Sequence, residues 1–228
     1  MLHRVLSQAV VVVLVAMFGT GTARADLFGF MGITNNDAGN TAAGEAQLFV
    51  DITDPGGGQV LFTFLNIGPV ASTIAQVYFD DGAILGIAGL IDADDDALGA
   101  FGDPNVDFTQ NDLDGVTPPE LPGGNTLSPV FETSAGFLAD ADNPQPANGV
   151  GTGESLGVVF DLLTGMTFSD VLDVIFTGDL RIGIHVQGFD DGGSDAFVAH
   201  PDPIPAPGAA LLGAIGLGSM GVIRRKRA

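Results

Sequence analysis

The stretch Leu180-Arg-Ile-Gly-Ile-His-Val-Gln187 decides the fold. Its apolar side chains fall at every second position, and polar residues or glycine fill the positions between them. A period of two is the period of a β-strand that turns one face to a core and the other to solvent. The stretch therefore predicts a half-buried strand.

Short runs of the same kind recur on the N-terminal side of this strand. They are separated by turns rich in glycine and aspartate, such as Asp54–Gly58,. The predicted strands are Ala46–Ile52, Gln59–Leu65, Ile74–Phe79, Ala83–Ile87 and Leu156–Leu162. Phe131 and Phe137 predict a further strand pair within the loop-rich stretch 92–153. Strands at this spacing predict a mainly β fold, an antiparallel β-sandwich.

One short helix is predicted, packed on the sheet directly before the strand at Leu180. Thr167 and Asp170 have the spacing of a capping box, and Gly178 is placed to end the helix,. Apolar residues follow the cap at helical spacing, at Phe168, Val171, Leu172 and Ile175,. The predicted helix is Phe168–Thr177.

The end of the chain has three parts in order. A proline motif comes first, with Pro203, Pro205, Ala206 and Pro207. An apolar run of sixteen residues, 208–223, contains five glycines, and the basic stop Arg224, Arg225, Lys226 and Arg227 follows. Sixteen helical residues span about 24 Å, less than the hydrocarbon core of about 30 Å. We expect a temporary membrane segment with its basic end in the cytoplasm; the alternative is an ordinary C-terminal anchor.

The start of the chain also has the sequence pattern of a targeting signal. A weakly basic beginning precedes the apolar run Ala9–Phe18, and Ala23-Arg-Ala25 has the small-x-small pattern of a cleavage site,. The sequence predicts a signal peptide over 1–25, cut after Ala25 by signal peptidase; the alternative is a retained N-terminal anchor. The predicted organisation is a signal peptide at 1–25, an acidic domain at 26–202 and a sorting tail at 203–228.

The segment between the two ends is strongly acidic. It contains all 28 Asp and Glu residues, whereas six of the seven Lys and Arg residues lie in the end segments. Arg181 alone remains, so the segment 26–202 carries a net charge of −27. Nucleic acid is excluded as a partner, because contacts to phosphate need a basic surface. The chain has no cysteine, so a core must hold the exported domain without disulfides,.

The tail resembles the PEP-CTERM sorting signal of Gram-negative bacteria. The likeness rests on the proline motif, on Ala210-Leu-Leu-Gly213 and Gly216-Leu-Gly218, and on Arg224-Arg225. Ala206 stands where that family usually has glutamate. The resemblance implies that an exosortase, an integral-membrane cysteine protease, processes the tail. It implies a brief stay in the inner membrane, then a place at the cell surface, in the outer envelope or in an extracellular matrix with exopolysaccharide as a partner.

The stretch from Gly153 to Val198 also resembles a domain that recurs in proteins with PEP-CTERM tails. To that domain no activity is assigned, so the resemblance implies an architecture and no chemistry.

A hydrolase is the third and weakest interpretation. Gly153-Glu-Ser155-Leu-Gly157 has the G-x-S-x-G pattern, and Asp195 and His200 follow in the hydrolase order. A nucleophile elbow needs a strand before the serine and a helix after it. Here a loop precedes Ser155 and an apolar strand follows, so we expect Ser155 to be no nucleophile.

A calcium- or glycan-binding adhesion module is the second interpretation. Asp92, Asp94, Asp96 and Asp103 supply oxygen ligands, but alanine stands where an EF-hand loop needs glycine,. Solvated acidic turns are the alternative for this loop. Sugar platforms need exposed aromatic side chains, and the chain has no Trp and only one Tyr, Tyr78,. The sequence thus favours an exported, non-enzymatic surface or matrix protein that needs no cofactor, with Ca²⁺ as the alternative ligand.

Overall fold

The structure is a computed structural model. It describes residues 25–81, 85–92, 105–110, 120–133, 138–190 and 192–204. Within them the strands are β1 Ala25–Gly32, β2 Leu48–Thr53, β3 Gln59–Asn66, β4 Thr73–Asp81, β5 Leu85–Ile91, β6 Phe108–Gln110, β7 Leu138–Ala141, β8 Ser155–Leu162, β9 Leu180–Gln187 and β10 Asp195–Ala199. The helices are α1 Ala38–Gln47 and α2 Phe168–Thr177, and a short 3₁₀ turn covers Gly124–Thr126.

The strands are hydrogen-bonded in the order β5-β8-β3-β2-β1-β10-β9-β4-β7-β6, and all named pairs are antiparallel. The prediction of a mainly antiparallel β fold is confirmed. β1 is shared: its first part, Ala25–Gly29, pairs with β2, and its last part, Phe30–Gly32, pairs with β10. We call β5-β8-β3-β2-β1 the first half-sheet and β1-β10-β9-β4-β7-β6 the second half-sheet.

Side chains from both half-sheets enter one apolar core. At its centre, Phe79 of β4 lies against Phe62 and Phe160, with ring centroids 5.1 Å and 4.9 Å away and both pairs edge to face. Phe64 lies 6.1 Å from Phe79 in the same orientation. Edge-to-face contact brings the positive rim of one ring to the negative face of the next. These four rings join the first half-sheet to the second.

Helix α2 has the bounds predicted from the sequence. Thr167 and Asp170 form the capping box, and Gly178 ends the helix with a left-handed φ of 79°. Val171 and Ile175 are buried in the core, and the helix lies against β9. Local signals predicted this element correctly because the cap, the apolar spacing and the terminating glycine all agree.

Helix α1 was not predicted, so the expectation of one helix was wrong. Asp37 caps it by accepting hydrogen bonds from the N–H groups of Gly39 and Asn40. The helix is weakly amphipathic and contains two glycines, so its sequence carries little helical signal,. Gly44 is required by packing: a Cβ there would lie 2.2 Å from the Phe197 ring.

The outer face of β9 is covered at its middle, so the expectation of a half-buried strand holds only in part. Residues 120–133, which we call the strap, lie across this face. Gly183 makes room for them, because a Cβ there would lie 2.6 Å from Leu121 and 3.2 Å from Phe131. With Tyr78 and Leu138, these residues form a second, smaller core outside the sheet.

Several strands differ from the sequence prediction, and β5 covers Leu85–Ile91 where Ala83–Ile87 was expected. β1, β6 and β10 were not predicted, and the expected strand at Phe131 is part of the strap instead. Phe137 lies outside the described residues, and β7 begins at Leu138. Ala46 and Gln47 belong to α1, so β2 starts two residues later than expected.

We expect Phe79→Ala to destabilise the fold by about 3–5 kcal/mol, because it removes a ring that is 0% exposed and leaves a cavity between the half-sheets,. The control is Phe176→Ala, since that ring is 65% exposed and its loss should cost about 0.5 kcal/mol or less,. Urea unfolding followed by circular dichroism measures both. Equal effects of the two substitutions would contradict this account of the core.

Candidate functional site

The two ends of the described chain meet beside β1. The N–H of Ile204 donates to the carbonyl of Leu27 at 2.6 Å, and the N–H of His200 donates to the carbonyl of Gly29 at 2.8 Å. The segment 200–204 therefore continues along β1 after β10 ends. We call the start of β1 together with 200–204 the terminal junction.

The terminal junction contains the only described parts of the predicted targeting segments. Ala25 is the first residue of β1, and Pro203 lies next to the bridge that Ile204 makes with Leu27. The other predicted targeting residues lie outside the described residues: Ala23, Pro205, Ala206, Pro207, Arg224, Arg225, Lys226 and Arg227. Of the helices in the described chain, none is both long and apolar enough for a membrane crossing.

Two clefts lie on either side of Pro201, which lines both of them. The larger, about 320 Å³, is mostly apolar and is lined by residues that include Met31, Ile175 and Leu180. The smaller, about 180 Å³, lies between the start of β1 and the outer face of α2. Its lining includes Asp26, Leu172 and Phe176. Of these lining residues, Met31 and Phe176 are exposed, by 40% and 65%, and both lie close to the terminal junction.

Arg181 closes one wall of the larger cleft and fastens the strap. Its guanidinium pairs with Asp80 and donates to the carbonyls of Pro129 at 2.7 Å and Val130 at 2.6 Å. It also lies 5.3 Å from the centre of the Phe131 ring. The single Lys or Arg side chain of the acidic segment therefore serves the fold, and its charge is already matched by Asp80.

The residues of the hydrolase interpretation are not assembled into a triad. Ser155 begins β8 after a loop, as expected, and is not followed by a helix. The path from Ser155 to His200 crosses the sheet through Leu65, Phe49 and Gly29. Four steps between neighbouring strands amount to about 19 Å along the sheet. Ser155 and His200 are therefore out of hydrogen-bonding reach.

Asp195 has another role. It is 1% exposed, and its Oδ1 accepts hydrogen bonds from the Thr34 hydroxyl and the Asn36 N–H, both at 2.7 Å. Its Oδ2 accepts from the Thr41 hydroxyl at 3.2 Å. The carboxylate ties β10 to the loop before α1 and to α1 itself.

Asp92 is the only described member of the predicted calcium loop. It is 4% exposed, and its Oδ2 accepts the N–H of Phe108 at 2.9 Å, which secures the start of β6. Asp94, Asp96 and Asp103 lie outside the described residues. No cluster of three or more His, Asp or Glu side chains suited to a metal ion occurs in the part of the chain that the structure describes. The calcium site stays a prediction.

Polar side chains form a row on the outer face of the second half-sheet. The Tyr78 hydroxyl donates to Gln76 Oε1 at 2.7 Å, and His185 Nδ1 lies 3.1 Å from the same oxygen. Burial lowers the pKa of His185, against the opposing influence of Asp140 and Asp195. Burial also raises the pKa of Tyr78, as does Asp140. Tyr78 is 1% exposed, so its ring offers no face to a sugar.

Comparison with known proteins gives no relative: no family model, no curated protein and no solved structure matches the chain. The candidate site therefore rests on geometry and on the sequence patterns at the two ends.

Sequence reasoning predicted the two targeting segments separately and missed that Leu27 and Ile204, which lie at their inner boundaries, are bonded to each other. The strand signal of β1 was weak, because Ala25–Gly32 mixes apolar residues with two glycines and lacks clean alternation,. The pairing of β1 with 200–204 depends on the whole sheet, and no local pattern reports it.

We expect Arg181→Met to destabilise the fold by about 2–4 kcal/mol, because it leaves Asp80 and two carbonyl groups without their cationic partner. Amide hydrogen exchange should rise first in the strap. Adding Asp80→Asn to Arg181→Met should recover part of the loss, since it removes the uncompensated carboxylate. Unchanged exchange in 120–133 would show that Arg181 does not hold the strap.

Proposed function

We propose that the chain is an exported, non-enzymatic protein of the cell surface or extracellular matrix, sorted by a PEP-CTERM-type tail. Signal peptidase releases its N-terminus in this proposal. An exosortase-like protease then releases it from a transient position in the inner membrane of a Gram-negative-type bacterium. The observation that carries the proposal is the terminal junction.

The geometry of the terminal junction supports attachment to one membrane face. Ile204 is bonded to Leu27, so the tail and the signal peptide continue from neighbouring points of the domain. Three residues separate Ile204 from the apolar run at Gly208. At up to about 3.5 Å per residue, that run starts within about 14 Å of Ile204. Both segments can therefore be in the same bilayer without unfolding the domain.

The charge of the domain supports a role that does not involve nucleic acid,. With 28 acidic residues against Arg181, the domain is repelled by anionic phosphates,. Once released from the membrane, such a domain stays in solution or in a hydrated matrix.

We further propose that the two half-sheets form a β-sandwich. The contacts of Phe79 with Phe62, Phe64 and Phe160 support this, because rings of the second half-sheet meet rings of the first across the core. The shared strand β1 would then form one closed side of the sandwich.

The non-enzymatic role is supported by the positions of the three residues of the hydrolase interpretation, Ser155, Asp195 and His200. The distance along the sheet between Ser155 and His200, and the hydrogen bonds that occupy Asp195, argue against the triad that the sequence pattern suggested. Treatment with a fluorophosphonate probe tests this directly: labelling of Ser155 would restore the hydrolase interpretation.

The intact mass of the protein recovered from envelope and medium tests the sorting proposal. We expect a chain that begins at Asp26 and ends near Pro203–Pro207. Replacing all four residues of 224–227 with glutamine should sharply reduce the processed fraction, because the basic stop holds the tail across the membrane. Ser155→Ala is the control and should be processed like the wild type. Finding Arg225 in most of the surface protein would refute processing of the tail.

A further inference from the structure

The second residue of β1 becomes a chain end if the signal peptide is cut where the sequence predicts. Hydrolysis of the Ala25–Asp26 peptide bond adds water and produces a carboxylate on Ala25 and an α-ammonium group on Asp26. The cut also removes Arg24. In the mature sequence the new ammonium group is then the one cationic group near the start of β1, because the next Lys or Arg along the chain is Arg181.

Asp51 of β2 lies beside this new end. It is directly opposite Leu27 in the ladder, and Asp26 is opposite Ile52. Opposed Cα atoms in an antiparallel pair are about 4.5–5.5 Å apart. The backbone nitrogen of Asp26 lies about 5 Å from the Leu27 Cα, measured along the strand. Because the Asp51 Cα lies about 5 Å from the Leu27 Cα across the ladder, the nitrogen is about 7 Å from the Asp51 Cα. The aspartate side chain and a free chain end can close that gap.

One oxygen of the Asp51 carboxylate has no hydrogen-bond partner among the described residues. This oxygen, Oδ1, is shielded from solvent. Burial raises the pKa of Asp51, the charge of Asp26 raises it further, and the Ile52 N–H opposes them. The single Arg of the acidic segment, Arg181, is paired with Asp80 and cannot serve here.

We propose that in the mature protein the α-ammonium group of Asp26 pairs with the Asp51 carboxylate and fastens the start of β1 to β2. This inference rests on the proposed function, because it needs an N-terminus at Asp26. It assigns a structural task to the processing step, because the cut supplies a cation beside Asp51 in a domain whose single Arg, Arg181, is paired with Asp80.

Chemical acetylation of the mature protein tests the pair. Residues 26–202 contain no lysine, so an amine-reactive acetylating reagent modifies only the α-amino group and Lys226 of the tail, where that is retained. The experiment compares wild type, Asp51→Asn and Glu132→Gln, each before and after acetylation, by urea unfolding. Glu132→Gln removes one exposed carboxylate on the strap and controls for net charge.

Acetylation should raise the unfolding equilibrium constant about fivefold in wild type and in Glu132→Gln, as expected for one ion pair. In Asp51→Asn the same treatment should change it less than about twofold. Lys226 is acetylated equally in all three proteins, so its effect cancels. An equal factor in all three would overturn the proposal.

The pH dependence supplies a second measurement should Asp51→Asn fold poorly. Neighbouring carboxylates raise the pKa of an amine above its unfolded value of about 7.7–8.0. The stability from the pair is then fully present below that range and is lost as pH rises through the folded value. The charged groups near the amine are the carboxylates of Asp26 and Asp51, and Asp173 of α2 lines the same cleft as Asp26. His200 and Asp202 belong to the segment that runs along the other edge of β1. The unmodified protein should lose stability as the pH rises above about 8, and the acetylated protein should not; identical profiles would refute the pair.

The two proposals can fail separately. If the native protein is found to begin elsewhere than Asp26, the proposed processing is wrong. The ion pair can still be measured on a full chain, to residue 228, that a site-specific protease cuts before Asp26. If that chain shows no coupling between acetylation and Asp51, the ion pair is wrong whatever the native cleavage site.

Discussion

The packing of Phe79 against Phe62, Phe64 and Phe160 is the interaction on which the fold depends. The chain has no cysteine, so no disulfide limits the unfolded state,. Its acidic segment repels itself and gains only one guanidinium contact in return,. Apolar contact between the half-sheets must therefore offset both the entropy of folding and the repulsion. This explains why the rings at the centre are buried, whereas Asp92 and Asp195 are the only buried acids among the residues that the structure describes.

Elements whose signals are local could be predicted from the sequence. β9 has clean alternation, and α2 has a cap, an apolar stripe and a terminating glycine, so neither needs information from the rest of the chain. α1 and the strap are different, because each is stabilised by a distant partner. Glycine is needed at position 44 because the Phe197 ring packs there, and at position 183 because Leu121 packs there. In a sequence, glycines of this kind are indistinguishable from turn residues.

In the candidate site, too, features that depend on neighbouring residues can be read from the sequence, whereas features that depend on distant residues cannot. The targeting patterns at both ends are contiguous in sequence, so the sequence alone predicts them, and they stay predictions because most of their residues lie outside the described chain. The junction between Leu27 and Ile204 could not, because it joins residues at opposite ends of the domain. Asp92 has a contact that its place in an acidic run did not indicate, because its buried carboxylate accepts a backbone N–H of β6. The calcium loop that includes Asp92 stays a prediction.

The sharing of β1 between the two half-sheets has a consequence for the order of folding. Phe30 pairs with Ala199. In the export that we propose, β1 would leave the translocation channel first and would wait for β10 before its second edge is filled. Pairings that distant in sequence form slowly, and an unfilled strand edge is prone to wrong partners. A tail that halts the chain at the membrane just after β10 has emerged would hold both strands near each other while the ladder closes. Release from the membrane would then naturally follow completion of the sheet.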